Sequence, residues 1–330
     1  MKCTNKFLIL IITFIMASVL SGCGSDKIWM PYSVSDFDDT SFVENISDFS
    51  SETDNLLTPF ADNLAVFSDN VSRKNFVLEN AGSGLLIDVN NKEALFAQNA
   101  FQQMYPASIT KILTALVAVK NCSLDEVITC TEAVEEIDVP GAVLLGLKKG
   151  DTLTLDQALR LALLSSYNDV ATAIGVHVGG DINNFSEMMN AEALSLGASN
   201  SHFSNPTGLD NANHYTTAYD LYLIFNEAIK NPAILEIIQS KEYQTVYHDR
   251  NGNEITAYAV NSNQFFKGNY DTPENITIVG GKTGTTTDAG YCLMLLSRDR
   301  SSNPYIAVIL NADSSSDLYT SMADLLKSIY

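Results

Sequence analysis

The chain has 330 residues, 46 % of them apolar, and a formal net charge of −20 from 39 acidic and 19 basic side chains. So acidic a protein repels a phosphate backbone, which excludes nucleic acid as a partner. The length suffices for one large domain with appendages. Five cysteines and four histidines fall in no zinc-ligand spacing, so the histidines are read as packing or surface residues and no metal is expected.

The chain opens with "MKCTNKFLILIITFIMASVLSGCGS", in which Lys2 and Lys6 precede an apolar run from Phe7 to Leu20. This reads as an export signal, and the run is short for a membrane-spanning helix. Leu20-Ser21-Gly22-Cys23 resembles the bacterial lipoprotein cleavage box, which implies removal of residues 1–22 and lipidation of Cys23; an uncleaved anchor is the alternative. Either way the rest of the chain is expected outside the cytoplasmic membrane and attached to it. Removing residues 1–22 takes away two lysines and leaves a charge of −22. Cys122, Cys130 and Cys292 then remain, and the first two are either bridged or separate buried thiols. Residues 23–75 read as an acidic tether, with ten acids and only Lys27 as a base between Asp26 and Asp69. A flexible chain of about 50 residues has a root-mean-square span of roughly 40 Å, enough to lift a domain off a bilayer. Phe37, Phe42, Phe49, Phe60 and Phe67 leave open a rival arrangement in which part of the tether docks on the domain.

Ordered structure is expected over residues 76–330. In "FVLENAGSGLLIDVNNKEALFAQNA" two apolar stretches flank Asn90-Asn91-Lys92, a hairpin signal. "YPASITKILTALVAVKN", Tyr105 to Asn121, reads as a buried helix. A largely helical middle follows, including "LTLDQALRLALLSS" and "NNFSEMMNAEALSLG", the latter closed by Gly197. Strand patterns return in "ENITIVGGKTGTT", "GYCLMLLSRDR" and "PYIAVILNAD", and "SSDLYTSMADLLKSIY" reads as an amphipathic helix. Strands at both ends and helices between imply one sheet built from both ends of the chain, flanked by helices.

Three short stretches stand out. Ser108 and Lys111 are three residues apart and share a helical face. Ser166-Tyr167-Asn168 lies between two apolar helices. Lys282-Thr283-Gly284 follows an apolar strand, and it is not a phosphate-binding loop because the G-x-x-x-x-G-K-[ST] order is absent. In this order the three form the S-x-x-K, S-x-N, K-T-G signature shared by penicillin-binding proteins and class A β-lactamases.

Across about residues 80 to 330 the chain resembles the low-molecular-mass penicillin-binding proteins that are serine-type D-alanyl-D-alanine carboxypeptidases, peptidase family S11. Beyond the three motifs, the likeness rests on "GLLIDVNNKEALFAQNAFQQMYPASITKILTAL", "LKKGDTLTLDQALRLALLSSYNDVA" and "SHFSNPTGLDNANHYTTAYDL". The resemblance implies an α/β (α+β) serine β-lactamase/transpeptidase-like fold, an antiparallel sheet flanked by helices plus a helical subdomain. It implies removal of the last D-alanine of peptidoglycan stem peptides through an acyl-enzyme, with β-lactams as covalent inhibitors and no cofactor.

By the same resemblance Ser108 is the nucleophile, Lys111 its base and Ser166 the proton relay to the departing amine. Asn168 bonds the substrate backbone and orients Lys111. Lys282 and Thr283 hold the terminal carboxylate, Gly284 admits the substrate backbone along the strand, and the N–H groups of Ser108 and Thr285 form the oxyanion hole. Tyr167 is read as a loop side chain without a part in bond breaking, though larger than the family's usual residue there. A base must be neutral, and a lysine near pKa 10.4 is neutral in only about one molecule in 2,500 at pH 7. Lys111 is therefore expected to be buried beside Ser108 with a strongly lowered pKa.

A class A β-lactamase also needs a glutamate beyond the second motif, and none occurs from Phe203 through Asn226. Transpeptidases and endopeptidases of the same fold remain alternatives, as does a non-catalytic wall-binding lipoprotein. Many relatives continue into a β-rich domain and a C-terminal membrane helix, whereas this sequence ends at Tyr330. Attachment is accordingly expected at the N-terminus, through Cys23.

Overall fold

A computed structural model describes residues 61–72 and 76–330. The expected signal segment, Cys23 and most of the acidic tether lie outside the described residues. Strands β1 (Val71–Ser72), β2 (Ala81–Asp88) and β3 (Glu93–Gln98) come from the start of the domain, and β8 (Thr277–Thr286), β9 (Gly290–Arg298) and β10 (Pro304–Ala312) from its end. They make one antiparallel sheet in the order β1-β3-β2-β10-β9-β8. The long-range seam is β2 against β10, from Asp88 opposite Tyr305 to Ala81 opposite Ala312. Asn90-Asn91-Lys92 is the hairpin turn: Asp88 Oδ1 accepts from the Asn91 N–H at 2.9 Å, and Lys92 takes a φ of +55°.

This sheet is buried on both faces, which is why its strands read as unbroken apolar runs. Leu85, Ile87, Met294, Leu296, Ile306, Val308 and Leu310 enter the larger core on one face. Their neighbours Leu86, Leu293, Leu295, Ala307 and Ile309 enter a second core on the other, where the terminal helix (Ser315–Lys327) supplies Leu318, Tyr319, Met322, Leu325 and Leu326. Each of the buried Leu, Ile, Val and Met side chains contributes about 1.5–3 kcal/mol.

The larger face carries the helical part of the molecule: α1 (Lys111–Asn121), α2 (Leu155–Ser165), α3 (Asn168–Gly179), α4 (Ile182–Ser195), α5 (Ala218–Ala228) and α6 (Pro232–Gln239); the terminal helix is α7. Several of these helices, though not α1 or α3, start on side-chain caps. Thr154 and Gln157 form a reciprocal capping box on α2, Asp181 caps α4, Thr217 caps α5, and Asn231 with Pro232 opens α6. The α1 reading needs one correction: residues 107–110 form a 3₁₀ turn, and the α-helix begins only at Lys111.

The middle of the chain is less helical than its sequence suggests. A second antiparallel sheet runs β4 (Val127–Thr129), β5 (Thr152–Thr154), β6 (Glu242–His248) and β7 (Glu254–Val260), in that order. The β6–β7 hairpin turns on Asp249, whose carboxylate accepts from the Asn251 and Asn253 N–H groups and from Asn253 Nδ2, bonds that hold its pKa down to about 2. The end of the acidic stretch also has structure. Ala65 is fully buried, its N–H donating to Tyr222 Oη at 3.1 Å and its carbonyl accepting from Tyr219 Oη at 3.0 Å. The Phe67 ring packs on Phe101 and Tyr219.

Candidate active site

The three motifs, separated by up to 174 positions in the chain, converge on one cleft of about 380 Å³ lined by Ser108, Ser166, Asn168, Thr283, Gly284 and Thr285, with the 139–143 and 208–210 loops as walls. Ser108 lies in the 3₁₀ turn ahead of α1, where residues i and i+3 eclipse. That geometry brings Lys111 Nζ to 2.9 Å from Ser108 Oγ.

The turn is held from below. Ala107 has a φ of +48°, a conformation that costs a non-glycine residue roughly 1–2 kcal/mol. Its carbonyl accepts from Thr110 Oγ1 at 2.8 Å, and Thr110 Oγ1 lies 2.9 Å from His214 Nε2. Because His214 Nδ1 accepts from the Ser204 N–H at 3.1 Å, Nε2 carries the proton and donates to Thr110. Burial lowers the His214 pKa to about 4, so the ring is neutral at pH 7. Gly208, at φ +80°, lies against the same carbonyl; a Cβ there would sit 1.8 Å from Ala107 O. Gly284 presses from the strand side, where a Cβ would meet the Ser108 nitrogen and Pro106 oxygen at 2.9 Å. The absent side chain therefore serves first to let β8 approach the Ser108 turn.

Lys111 is 1 % exposed, and its pKa is driven well below the ordinary lysine value by burial and then by Lys282, partly opposed by Asp169. Its Nζ also lies 2.7 Å from Thr207 O and 2.8 Å from Asn168 Oδ1. Asn168, the first residue of α3, is oriented by donating Nδ2 to Val143 O at 3.2 Å, while its own N–H donates to the same carbonyl. Ser166, between α2 and α3, has a φ of +63°, and Lys282 Nζ lies 3.1 Å from its Oγ and 2.9 Å from Thr283 O. Burial lowers the Lys282 pKa to about 7. Since Lys282 is 1 % exposed, a ligand in the cleft meets the Thr283 hydroxyl, paired with Ser262 Oγ at 2.5 Å, before that amine. Tyr167 is turned away onto β7, its hydroxyl donating to Tyr258 O.

Several residues that matter here carry no motif. The Asp169 carboxylate accepts from the N–H groups of Leu145, Gly146 and Leu147, which shapes the cleft wall beside Val143. Asn205 Oδ1 accepts from the Thr207 and Gly208 N–H groups and so aims the Thr207 carbonyl at Lys111. Ser262 and His214 complete the set. Asn205 and His214 fall in the polar 201–221 stretch and Asp169 next to the second motif, whereas Ser262 carries no sequence signal. Cys122, Cys130 and Cys292 are free thiols.

A sequence model of the D-alanyl-D-alanine carboxypeptidase family, peptidase S11, matches residues 71–314. A D-alanyl-D-alanine carboxypeptidase of Bacillus subtilis is 28 % identical over 242 residues, covering 70 % of this chain and 57 % of that protein. A D-alanyl-D-alanine endopeptidase of Pseudomonas aeruginosa is 30 % identical over 248 residues, 74 % of each chain. Among solved structures, a serine-to-alanine mutant of the Streptomyces K15 DD-transpeptidase superposes with a TM-score of 0.69 at 25 % identity, covering 76 % of this chain and 97 % of that one. The chain thus spans somewhat over half the length of the Bacillus relative, and the likeness to the transpeptidase bears out the antiparallel sheet flanked by helices.

Proposed function

The chain belongs to the D-alanyl-D-alanine carboxypeptidase family, and from that premise we propose that it removes the terminal D-alanine of peptidoglycan stem peptides through an acyl-enzyme on Ser108. The observation that carries this reading is the hydrogen-bond set of Lys111. A neutral amine has two hydrogens and one lone pair. Thr207 O and Asn168 Oδ1, at 2.7 and 2.8 Å, can only accept, so they take both hydrogens and leave the lone pair for the Ser108 hydroxyl at 2.9 Å. Burial and Lys282 supply the neutral form.

In the proposed reaction Ser108 Oγ attacks the carbonyl between the last two D-alanines as its proton passes to Lys111. The N–H groups of Ser108 and Thr285 receive the oxyanion, an element in which loss of one donor costs about 3–4 kcal/mol, aided by the α1 N-terminus. As the C–N bond breaks, the Ser166 hydroxyl relays a proton to the departing amine. Water then hydrolyses the ester, its hydroxyl joining the acyl group and its proton returning to Ser108. The substrate carboxylate is held by the Thr283 and Ser262 hydroxyls with the field of Lys282 beneath them, which selects a chain end. A β-lactam presents the same carbonyl and carboxylate and acylates Ser108.

The test is release of D-alanine from diacetyl-lysyl-D-alanyl-D-alanine. Ser108→Ala should lose at least about 10³-fold in rate together with fluorescent-penicillin labelling. Labelling without release would move the assignment to a D-alanyl-D-alanine endopeptidase, the activity named for the Pseudomonas relative. Loss of neither in Ser108→Ala would end the proposal.

For localisation, we infer export and anchoring outside the cytoplasmic membrane through lipid on Cys23. The leader composition supports this reading, and among the described residues no helix is long and apolar enough to cross a membrane. Cys23→Ser should release the protein from the membrane fraction; unchanged sedimentation would show an uncleaved anchor.

A further inference from the structure

Outside the cleft, one cluster brings together three metal-ligating chemistries. Cys122 Sγ, a carboxylate oxygen of Glu126 and a ring nitrogen of His177 all lie within 4.8 Å of one another. Glu126 Oε2 and His177 Nε2 are 3.4 Å apart, and a tetrahedral zinc ion with bonds of about 2.0–2.3 Å spaces its ligands by roughly 3.3–3.6 Å. The carboxylate is already oriented: Glu126 Oε1 accepts from the Ser123 N–H at 2.7 Å, which leaves Oε2 facing the histidine. All three side chains reach solvent in part, so an ion has an entry path and a water can take the fourth position.

We propose that Cys122, Glu126 and His177 bind one zinc-class divalent cation. Thiolate and imidazole select zinc over calcium or magnesium, which prefer all-oxygen sets. One thiolate and one carboxylate balance the 2+ charge, and the Cys122 proton is released to solvent on binding. Without a cation the arrangement is unfavourable to a thiolate, since burial and then Glu126 raise the Cys122 pKa. A divalent ion between the two groups reverses the sign of that interaction.

The location gives the site a structural role. Cys122 directly follows α1, and His177 lies in the last turn of α3. These two helices begin at Lys111 and Asn168, whose side chains meet at 2.8 Å. An ion would tie together the opposite ends of the same helix pair, about 16 Å from Lys111 at 1.5 Å per residue, too far to enter the chemistry of the cleft.

Cobalt(II) titration of the chelator-stripped full-length chain, free of any histidine tag, is the test. The expected result is one ion per chain, with a thiolate-to-cobalt charge-transfer band that Cys122→Ser loses. Zinc affinity, measured by competition with a chromophoric chelator, should fall on the order of 100-fold in His177→Gln. Zinc should raise the unfolding temperature of the wild type and not of the variants. Circular dichroism checks folding, and His177→Gln carries the test alone if Cys122→Ser does not fold. No thiolate band, or a zinc affinity unchanged by His177→Gln, would overturn the proposal.

Discussion

Lys111 and Lys282 show what burying a single charged residue costs, since each is 1 % exposed in a domain with ample surface. Below pH 7 the folded chain bears the full cost of burying the Lys282 charge. Between about 7, its folded value, and 10.5 the unfolded chain holds a proton that the folded chain has given up, so stability rises with pH across that window. Lys282→Met should therefore raise the melting temperature more at pH 6 than at pH 10, with a ceiling on the order of 4 kcal/mol, while impairing turnover. An equal gain at both pH values would show that Lys282 is not buried as described. His214 acts one step further away, through Thr110 and the Ala107 carbonyl. His214→Ala should lower kcat by roughly 10²-fold, as for a misplaced reacting group, with KM little changed. His214→Gln, able to donate to Thr110, should restore part of the loss.

At the scale of elements, the pieces most legible in the sequence were those whose signals are local. The β2–β3 hairpin and the strands β8 to β10 announce themselves through turn residues and apolar runs. The β6–β7 hairpin did not, because Tyr247, Ala257 and Ala259 form its buried face while Val246, Ile255, Tyr258 and Val260 on the other face are exposed, so its apolar residues do not alternate with polar ones as burial does. The first motif was legible as a pair but not as a 3₁₀ turn, since the positive φ of Ala107 is imposed by Gly208 and His214 from elsewhere in the chain. Gly208→Ala drives a Cβ into that carbonyl and should destabilise by more than about 3 kcal/mol in urea unfolding. Thr154→Ala removes only a cap from α2 and should cost about 1 kcal/mol. Similar losses from both would mean that the turn yields to accommodate the methyl group.

At the scale of the whole molecule, the packed unit starts earlier than residue 76. Ala65, Phe67 and β1 attach to α5 and β3 through the Tyr219 and Tyr222 hydroxyls and the ladder opposite Phe96 and Ala97. A chain starting at residue 60 should melt several degrees above one starting at 76, and Phe67→Ala should account for part of the difference; equal melting would mean that the docking contributes no stability. The amino-acid sequence by itself determined the family resemblance, the sheet drawn from both chain ends and the choice of Ser108, Lys111, Ser166, Asn168 and Lys282 as candidates, because each rests on spacings of a few residues that local geometry turns into a shared face or loop. Tertiary structure alone decided that Thr207 and Asn168 take the hydrogens of Lys111, that Asp169 shapes the cleft wall, that Lys282 lies beneath hydroxyls, and that Cys122 and Glu126 meet His177 51 positions after the glutamate. Those contacts join groups distant in sequence, and only folding brings them within the few ångströms over which hydrogen bonds and buried charges act.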